Sequence, residues 1–192
     1  MATINRKTTE TQIAVELNLY GSGKYNVNTG VPFLDHMLEL WAKHGLFDLT
    51  VTATGDIEID DHHTVEDIGL CIGEAIDKAL GEKSGIYRYG FFILPMDEAL
   101  TEVAFDLSGR PFVVFNVDWQ QEKIKDFDVS LVEEFWRAVG TAAKANLHIN
   151  LKYGKDAHHI SEAIFKAAAR ALCAAVAKDP RRKDIPSTKG SL

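Results

Sequence analysis

Basic side chains are in short supply in this chain of 192 residues: 21 Lys and Arg stand against 28 Asp and Glu, for a net charge of -7 at pH 7. A protein that neutralises nucleic-acid phosphates needs a basic face, so this balance argues against a nucleic-acid binder. It leaves room for a local basic pocket that takes a small phosphorylated ligand. Cysteine is scarcer still, at two. Cys71 and Cys173 sit at apolar spacing in helical patterns and read as reduced core residues of an intracellular protein, not as a disulfide framework. No apolar run is long enough to span a bilayer, and no signal peptide opens the chain. The expected compartment is the cytoplasm, or a plastid where a transit peptide has been removed. No His-Glu-x-x-His occurs, and His63-Thr64-Val65-Glu66-Asp67 lacks the closing histidine of His-x-x-Glu-His, which argues against a metalloprotease.

What is present is a repeat. The stretch Asp60-Asp61-His62-His63-Thr64-Val65-Glu66-Asp67 returns as Asp156-Ala157-His158-His159-Ile160-Ser161-Glu162-Ala163, and adjacent histidines occur nowhere else. Placing one pair on the other needs an offset of 96 and also matches Glu66 with Glu162, Ile68 with Ile164, Ala75 with Ala171 and Ala79 with Ala175. Alternating and 3.6-residue patterns predict strands over 13–19 and 25–28, joined as a hairpin through Gly21-Ser22-Gly23, then a helix from Phe33 to near Gly45. A strand over 46–53 and a helix opened by His62 complete the first unit. In the second, an additional strand covers 86–94, and 101–107 and 112–117 make a hairpin through Ser108-Gly109-Arg110-Pro111. A helix over 129–145, a strand over 146–153 and a last helix over 158–176 follow.

In both copies the glutamate follows the first histidine at i+4 and the second at i+3, so a helix would put imidazole and carboxylate on one face. With a two-residue gap the alignment lays His36 on Glu134. The candidate donors are therefore His36, His62, His63, Glu66, Glu134, His158, His159 and Glu162, and two related halves suggest two pseudo-equivalent sites. Imidazole and carboxylate without thiolate suit Mn, Fe, Ni or Zn, and open positions for water or substrate favour Mn or Fe. Neighbouring histidines chelate one ion poorly, so His62 and His63, like His158 and His159, should serve different metals. The plainer alternative is that the pairs only cap helices or bond at the surface. Repetition with matching glutamates weighs against it. His44 and His148 have no counterpart donor and read as structural.

Several ordered stretches make the chain resemble the imidazoleglycerol-phosphate dehydratase family over nearly its whole length. They are Arg6-Lys7-Thr8-Thr9-Glu10-Thr11, Gly30-Val31-Pro32-Phe33-Leu34-Asp35-His36-Met37, Asp61 through Asp67, Asp106-Leu107-Ser108-Gly109-Arg110-Pro111, His158-His159 with Glu162, and Pro186-Ser187-Thr188-Lys189-Gly190. Many relatives carry His where this chain has Glu134. The resemblance implies an α+β fold of duplicated ribosomal-protein-S5 domain 2-like halves, each a four-stranded sheet with two helices on one face. Residues 1–192 would form a single dehydratase domain of two repeats, about 1–90 and 91–185, with a C-terminal substrate-binding tail and no fused phosphatase. It further implies a homo-oligomer, a 24-mer built from trimers, with two Mn2+ ions per active site and the sites between subunits. The implied reaction is a lyase step of histidine biosynthesis: imidazoleglycerol phosphate loses water to give imidazole acetol phosphate through a dimanganese-bound imidazolate and a diazafulvene-like intermediate. Family matching and the chemistry nominate Glu10 and Glu162 as the base. The matching also nominates Arg88, Arg110, Lys166, Ser187 and Lys189 for the substrate phosphate. Taken singly, each of those cations reads as a solvated surface charge. Two other functions use the same residues: a dinuclear hydrolase of a small phosphate ester, and an assembly subunit whose ions only join protomers.

Overall fold

The structure, a computed structural model, describes residues 1–192. The first half runs β1 (Ala2–Lys7), β2 (Thr11–Asn18), β3 (Tyr25–Asn28), α1 (Pro32–Gly45), β4 (Asp48–Gly55) and α2 (His62–Leu80). The second half runs β5 (Tyr89–Met96), β6 (Ala99–Asp106), β7 (Phe112–Asn116), the short pair β8 (Lys123–Ile124) and β9 (Phe127–Asp128), α3 (Ser130–Ala142), β10 (Asn146–Tyr153) and α4 (Ala157–Val176). Strict alternation makes the strands: in β2, Ile13, Val15 and Leu17 are buried while Gln12, Ala14 and Glu16 are exposed. One face of each sheet is therefore apolar and needs a cover. Helices α1 and α2 cover the first sheet, α3 and α4 the second, and the pairs meet as α2 on α3 and α1 on α4. Trp41, Phe47, Phe135, Trp136 and Phe165 fill the core between the sheets. The fold is α+β with two four-stranded mixed sheets, as the resemblance implied. No helix is long and apolar enough to cross a membrane.

The strand order corrects two expectations. The sheets are ordered β1-β2-β4-β3 and β5-β6-β10-β7, so neither β2 with β3 nor β6 with β7 is a hairpin. Strand β4 lies between the first pair, antiparallel to β2 and parallel to β3, and β10 lies likewise between β6 and β7. The first residue of each inserted strand holds the gap open. Asp48 Oδ1 accepts from the Ser22 N–H at 2.8 Å and the Lys24 N–H at 3.1 Å. Asn146 Nδ2 donates to the Arg110 carbonyl at 2.7 Å and to Ser108 Oγ at 3.2 Å. The local pattern shows that two strands flank a glycine turn; it does not show that a third strand, arriving after a helix, separates them.

Strand β1 is absent from the pattern reading because Arg6, at an inward position, breaks its alternation. Arg6 reaches Asp67 on α2 at 2.9 Å, and Thr11 Oγ1 donates to the other oxygen of Asp67 at 2.5 Å. This network ties the β1–β2 turn, which carries Glu10, to the helix that carries His62 and His63. Two boundaries also move. Leu46 takes φ 58 and caps α1, so β4 begins at Asp48, and Lys144 at φ 52 stops α3 short of residue 145. The β8–β9 pair is too short for a pattern to register.

Two glycines set how closely α2 approaches α3. A Cβ at Gly69 would stand 2.8 Å from the Phe135 carbonyl, and one at Gly73 would stand 2.6 Å from that of Val139. Backbone atoms cannot give way as a side-chain tip can. Gly73→Ala is therefore expected to destabilise the fold by about 1–3 kcal/mol, although alanine is the better helix former by about 1 kcal/mol. Denaturant titration at equal m-value checks it, and a variant as stable as the parent would show that the helices can separate without loss.

Candidate active site

Aspartates, not histidines, accept from the N–H groups at the start of the two helices: Asp156 as the N-cap of α4, and Asp60, one residue before the cap position, at α2. Asp156 accepts from the N–H groups of His158 at 2.8 Å and His159 at 3.1 Å, and Asp60 accepts from that of His62 at 2.8 Å. The imidazoles are left for other contacts. On α4 the i+4 spacing sets His158 Nε2 3.1 Å from Glu162 Oε1. His36 comes from the other half. Its helix begins where Asp35 accepts from both the N–H and the hydroxyl of Thr29, and its Nε2 lies 3.1 Å from the same Glu162 oxygen. The donor atoms of His36, His158 and Glu162 all fall within 4.8 Å of one another. Two imidazoles and a carboxylate converging from two helices could hold a mid-series divalent cation. Glu162 Oε2 accepts from Lys166 Nζ at 2.5 Å, and that ammonium also touches Met96 Sδ at 3.3 Å. Burial pushes the Glu162 carboxyl up, but the contacts with Lys166, His36 and His158 outweigh it and hold the group at about 2.

The second histidine of each pair turns away from the first, with interplanar angles of 88° for His62 and His63 and 82° for His158 and His159. His63 Nδ1 lies 3.0 Å from Asp56 Oδ2, and its Nε2 lies 4.0 Å from Glu10. His159 Nδ1 lies 2.7 Å from Glu98 Oε2, with Nε2 3.7 Å from Asp97. These hydrogen bonds raise the pKa of both rings. Glu98 is held at about 2, first by the Asp156 N–H and then by His159 and the Lys155 N–H. Neither Asp56 nor Glu98 stands out by spacing, because each meets its histidine through a loop or a hairpin tip.

His62 shares a cavity of about 430 Å³ with Asp60, Asp61, Lys123, Asp126, Asp128 and Ser130. Glu66 follows His62 by one turn of α2, and Glu134 follows Ser130 by one turn of α3; both are half-buried, and no hydrogen bond joins them to His62. Under the repeat, His62, Glu66 and Glu134 correspond to His158, Glu162 and His36. His44 is half-buried at the end of α1, near enough to Lys166, Arg170 and Glu162 for their charges to act on it, and its pKa is lowered, first by burial; His148 lies exposed on β10.

The cations divide into two places. Arg88, Arg110, Ser187 and Lys189 line one cavity of about 560 Å³, together with Arg182, which sequence reasoning missed. Arg88 is committed there: it donates to both oxygens of Asp106, at 2.6 and 3.1 Å, and to the Pro186 carbonyl at 2.9 Å, so it anchors the tail. Lys166 lies elsewhere, against Met96 at the far end of β5 from Arg88. Eight residues of strand put those ends about 25 Å apart.

Fold and site together define a class: α+β proteins with two sheets of one strand order and paired His-His-x-x-Glu helix openings, whose His/His/Glu cluster has the make-up of a metal site. The chain belongs to the imidazoleglycerol-phosphate dehydratase family, whose family model matches residues 29–172. The imidazoleglycerol-phosphate dehydratase of Acetivibrio thermocellus is 56% identical over 189 residues, covering 98% of this chain and 97% of that one. That of Citrifermentans bemidjiense is 57% identical over 191 residues, covering 100% and 98%. Among solved structures, the Pyrococcus furiosus enzyme in complex with (S)-C348 superposes with a TM-score of 0.86 at 38% identity, covering 98% of this chain and 100% of that one. The Staphylococcus aureus enzyme superposes with a TM-score of 0.83 at 41% identity, covering 93% and 99%.

Proposed function

We propose that this chain dehydrates imidazoleglycerol phosphate to imidazole acetol phosphate in histidine biosynthesis, using two Mn2+ ions per active site. Beside the family membership, the observation that carries the reading is the convergence of His36, His158 and Glu162 from the two halves of the chain. The ions would be held by these three with His62, His63, Glu66, Glu134 and His159, and when bound they would supply positive charge that favours the anionic form of the substrate ring. That charge would ease departure of the hydroxyl, which would leave as water on taking up a proton. The remaining task is removal of a weakly acidic C–H proton. Glu162 has both oxygens engaged, which suits a ligand and an orienting group. Glu10 stands half-exposed on the β1–β2 turn, facing His63, with neither oxygen in a hydrogen bond, which suits the proton acceptor.

Arg110, Ser187 and Lys189, with Arg88 fixing the tail, take the phosphate. The distance of about 25 Å from there to Lys166 exceeds the reach of a small substrate, which supports a site completed by another copy of the chain. Self-association is also supported by the exposed Tyr89, Phe91 and Ile93 on the outer face of β5. On this reading the repeats, about 1–90 and 91–185, and the tail act as one unit within a 24-mer of trimers. Lys166 then meets the substrate at the metal end.

Turnover of imidazoleglycerol phosphate with the phosphate retained on the product tests the reaction; release of inorganic phosphate would show a hydrolase instead. Lys189→Ala should raise KM by about tenfold with kcat nearly unchanged, the loss of one charge-assisted hydrogen bond. An unchanged KM would remove the tail from the phosphate site.

A further inference from the structure

We infer that Asp56 and Glu98 are positioning residues of the metal centre: each holds the Nδ1–H of the second histidine of a pair, His63 or His159, and so presents Nε2 for ligation. The inference rests on the metal-centre reading above. A neutral imidazole carries one N–H and one lone pair, and whichever nitrogen donates leaves the other as the ligand. Asp56 Oδ2 lies 3.0 Å from His63 Nδ1, and Glu98 Oε2 lies 2.7 Å from His159 Nδ1. A carboxylate at that position also raises the basicity of the opposite nitrogen and fixes the plane of the ring.

The two contacts arise from unlike places. Asp56 stands on the connection from β4 to α2, seven residues before its histidine, whereas Glu98 stands on the turn from β5 to β6, 61 residues before its own. The repeat therefore does not explain them: under it the β5–β6 turn corresponds to the β1–β2 turn that carries Glu10, not to the loop that carries Asp56. Two halves reach one geometry by separate routes. Asp56 Oδ1 is buried with no hydrogen-bond partner, so the carboxylate is offset by the His63 ring alone. Glu98 uses its other oxygen to accept from the Lys155 and Asp156 N–H groups, which locks the ring holder to the start of α4. On the Nε2 side, Glu10 stands 4.0 Å from His63 and Asp97 stands 3.7 Å from His159, so each presented nitrogen faces a further acidic group. That is the surrounding a bound cation would favour.

Mn2+ binding to the metal-stripped full chain, read from the electron paramagnetic resonance of the free ion, tests this without reference to turnover. Asp56→Asn and Glu98→Gln should each weaken Mn2+ affinity by about 10- to 100-fold while the metal-free proteins melt as the parent does. Asp56→Glu, which restores the charge, should recover most of the loss. Affinities within about twofold of the parent overturn the positioning role, as does an Asp56→Glu variant as weak as Asp56→Asn. A loss of affinity matched by a fall in the melting temperature of the metal-free protein shows a structural role instead. A parent chain that takes up no Mn2+ overturns the metal-centre reading itself, an outcome distinct from a parent that binds and variants that bind equally.

Discussion

Glu162→Gln is expected to lower kcat for imidazoleglycerol phosphate by about 10²- to 10⁴-fold while leaving the chain folded. The carboxylate is the meeting point of the cluster: Oε1 lies 3.1 Å from both His36 and His158, and Oε2 accepts from Lys166. Glutamine keeps the volume but removes the charge, and its NH2 must face either the two imidazoles or the ammonium. Lys166, with 14% of its side chain exposed, then has no counter-charge. The metal-free protein carries a second signature. The carboxyl sits at about 2 in the folded chain against an ordinary 4.5, so its contribution to stability is present above pH 4.5 and is lost as the pH falls toward 2. The glutamine variant should lack that part of the acid sensitivity. Parent-like turnover, with metal content unchanged, would remove Glu162 from the site.

Stripping the metal should lower activity by at least about a thousandfold, and Mn2+ should restore it with no inorganic phosphate released. Several kcal/mol of charge stabilisation at the substrate ring is what the cations would supply, and each 1.36 kcal/mol is about tenfold in rate. Lys166, the ammonium beside the His/His/Glu cluster, does not replace that charge, because it is already paired with Glu162. Full activity in stripped, folded protein would end the metal reading. Dissociation of the proposed assembly on stripping, with no response to substrate when Mn2+ returns, would leave only ions that join protomers.

The chemistry-bearing residues were legible because their spacing is local. The i+4 relation of His158 to Glu162 and the 96-residue repeat need only a helix and a register, and α4 brings that histidine and glutamate together as the spacing requires. The strands whose faces alternate apolar and polar were legible for the same reason. Where a functional contact interrupts the period, the reading failed: Arg6 turns inward to meet Asp67, and β1 vanished from the pattern.

The amino-acid sequence by itself determined the periodic elements, the duplicated motif, the donor types and the family. Only the tertiary structure decided what lies beside what. It inserted β4 and β10 into the gaps read as hairpins, because a strand's partner is set by which helix face must be buried after the crossover, not by the turn before it. It brought His36 to Glu162 across 126 residues, gave His63 and His159 their carboxylates, and parted Lys166 from the tail cavity. The physical reason is one of range. Helix and strand periods follow from sterics over a few residues, whereas these contacts exist only once two sheets have buried their apolar faces against the same four helices.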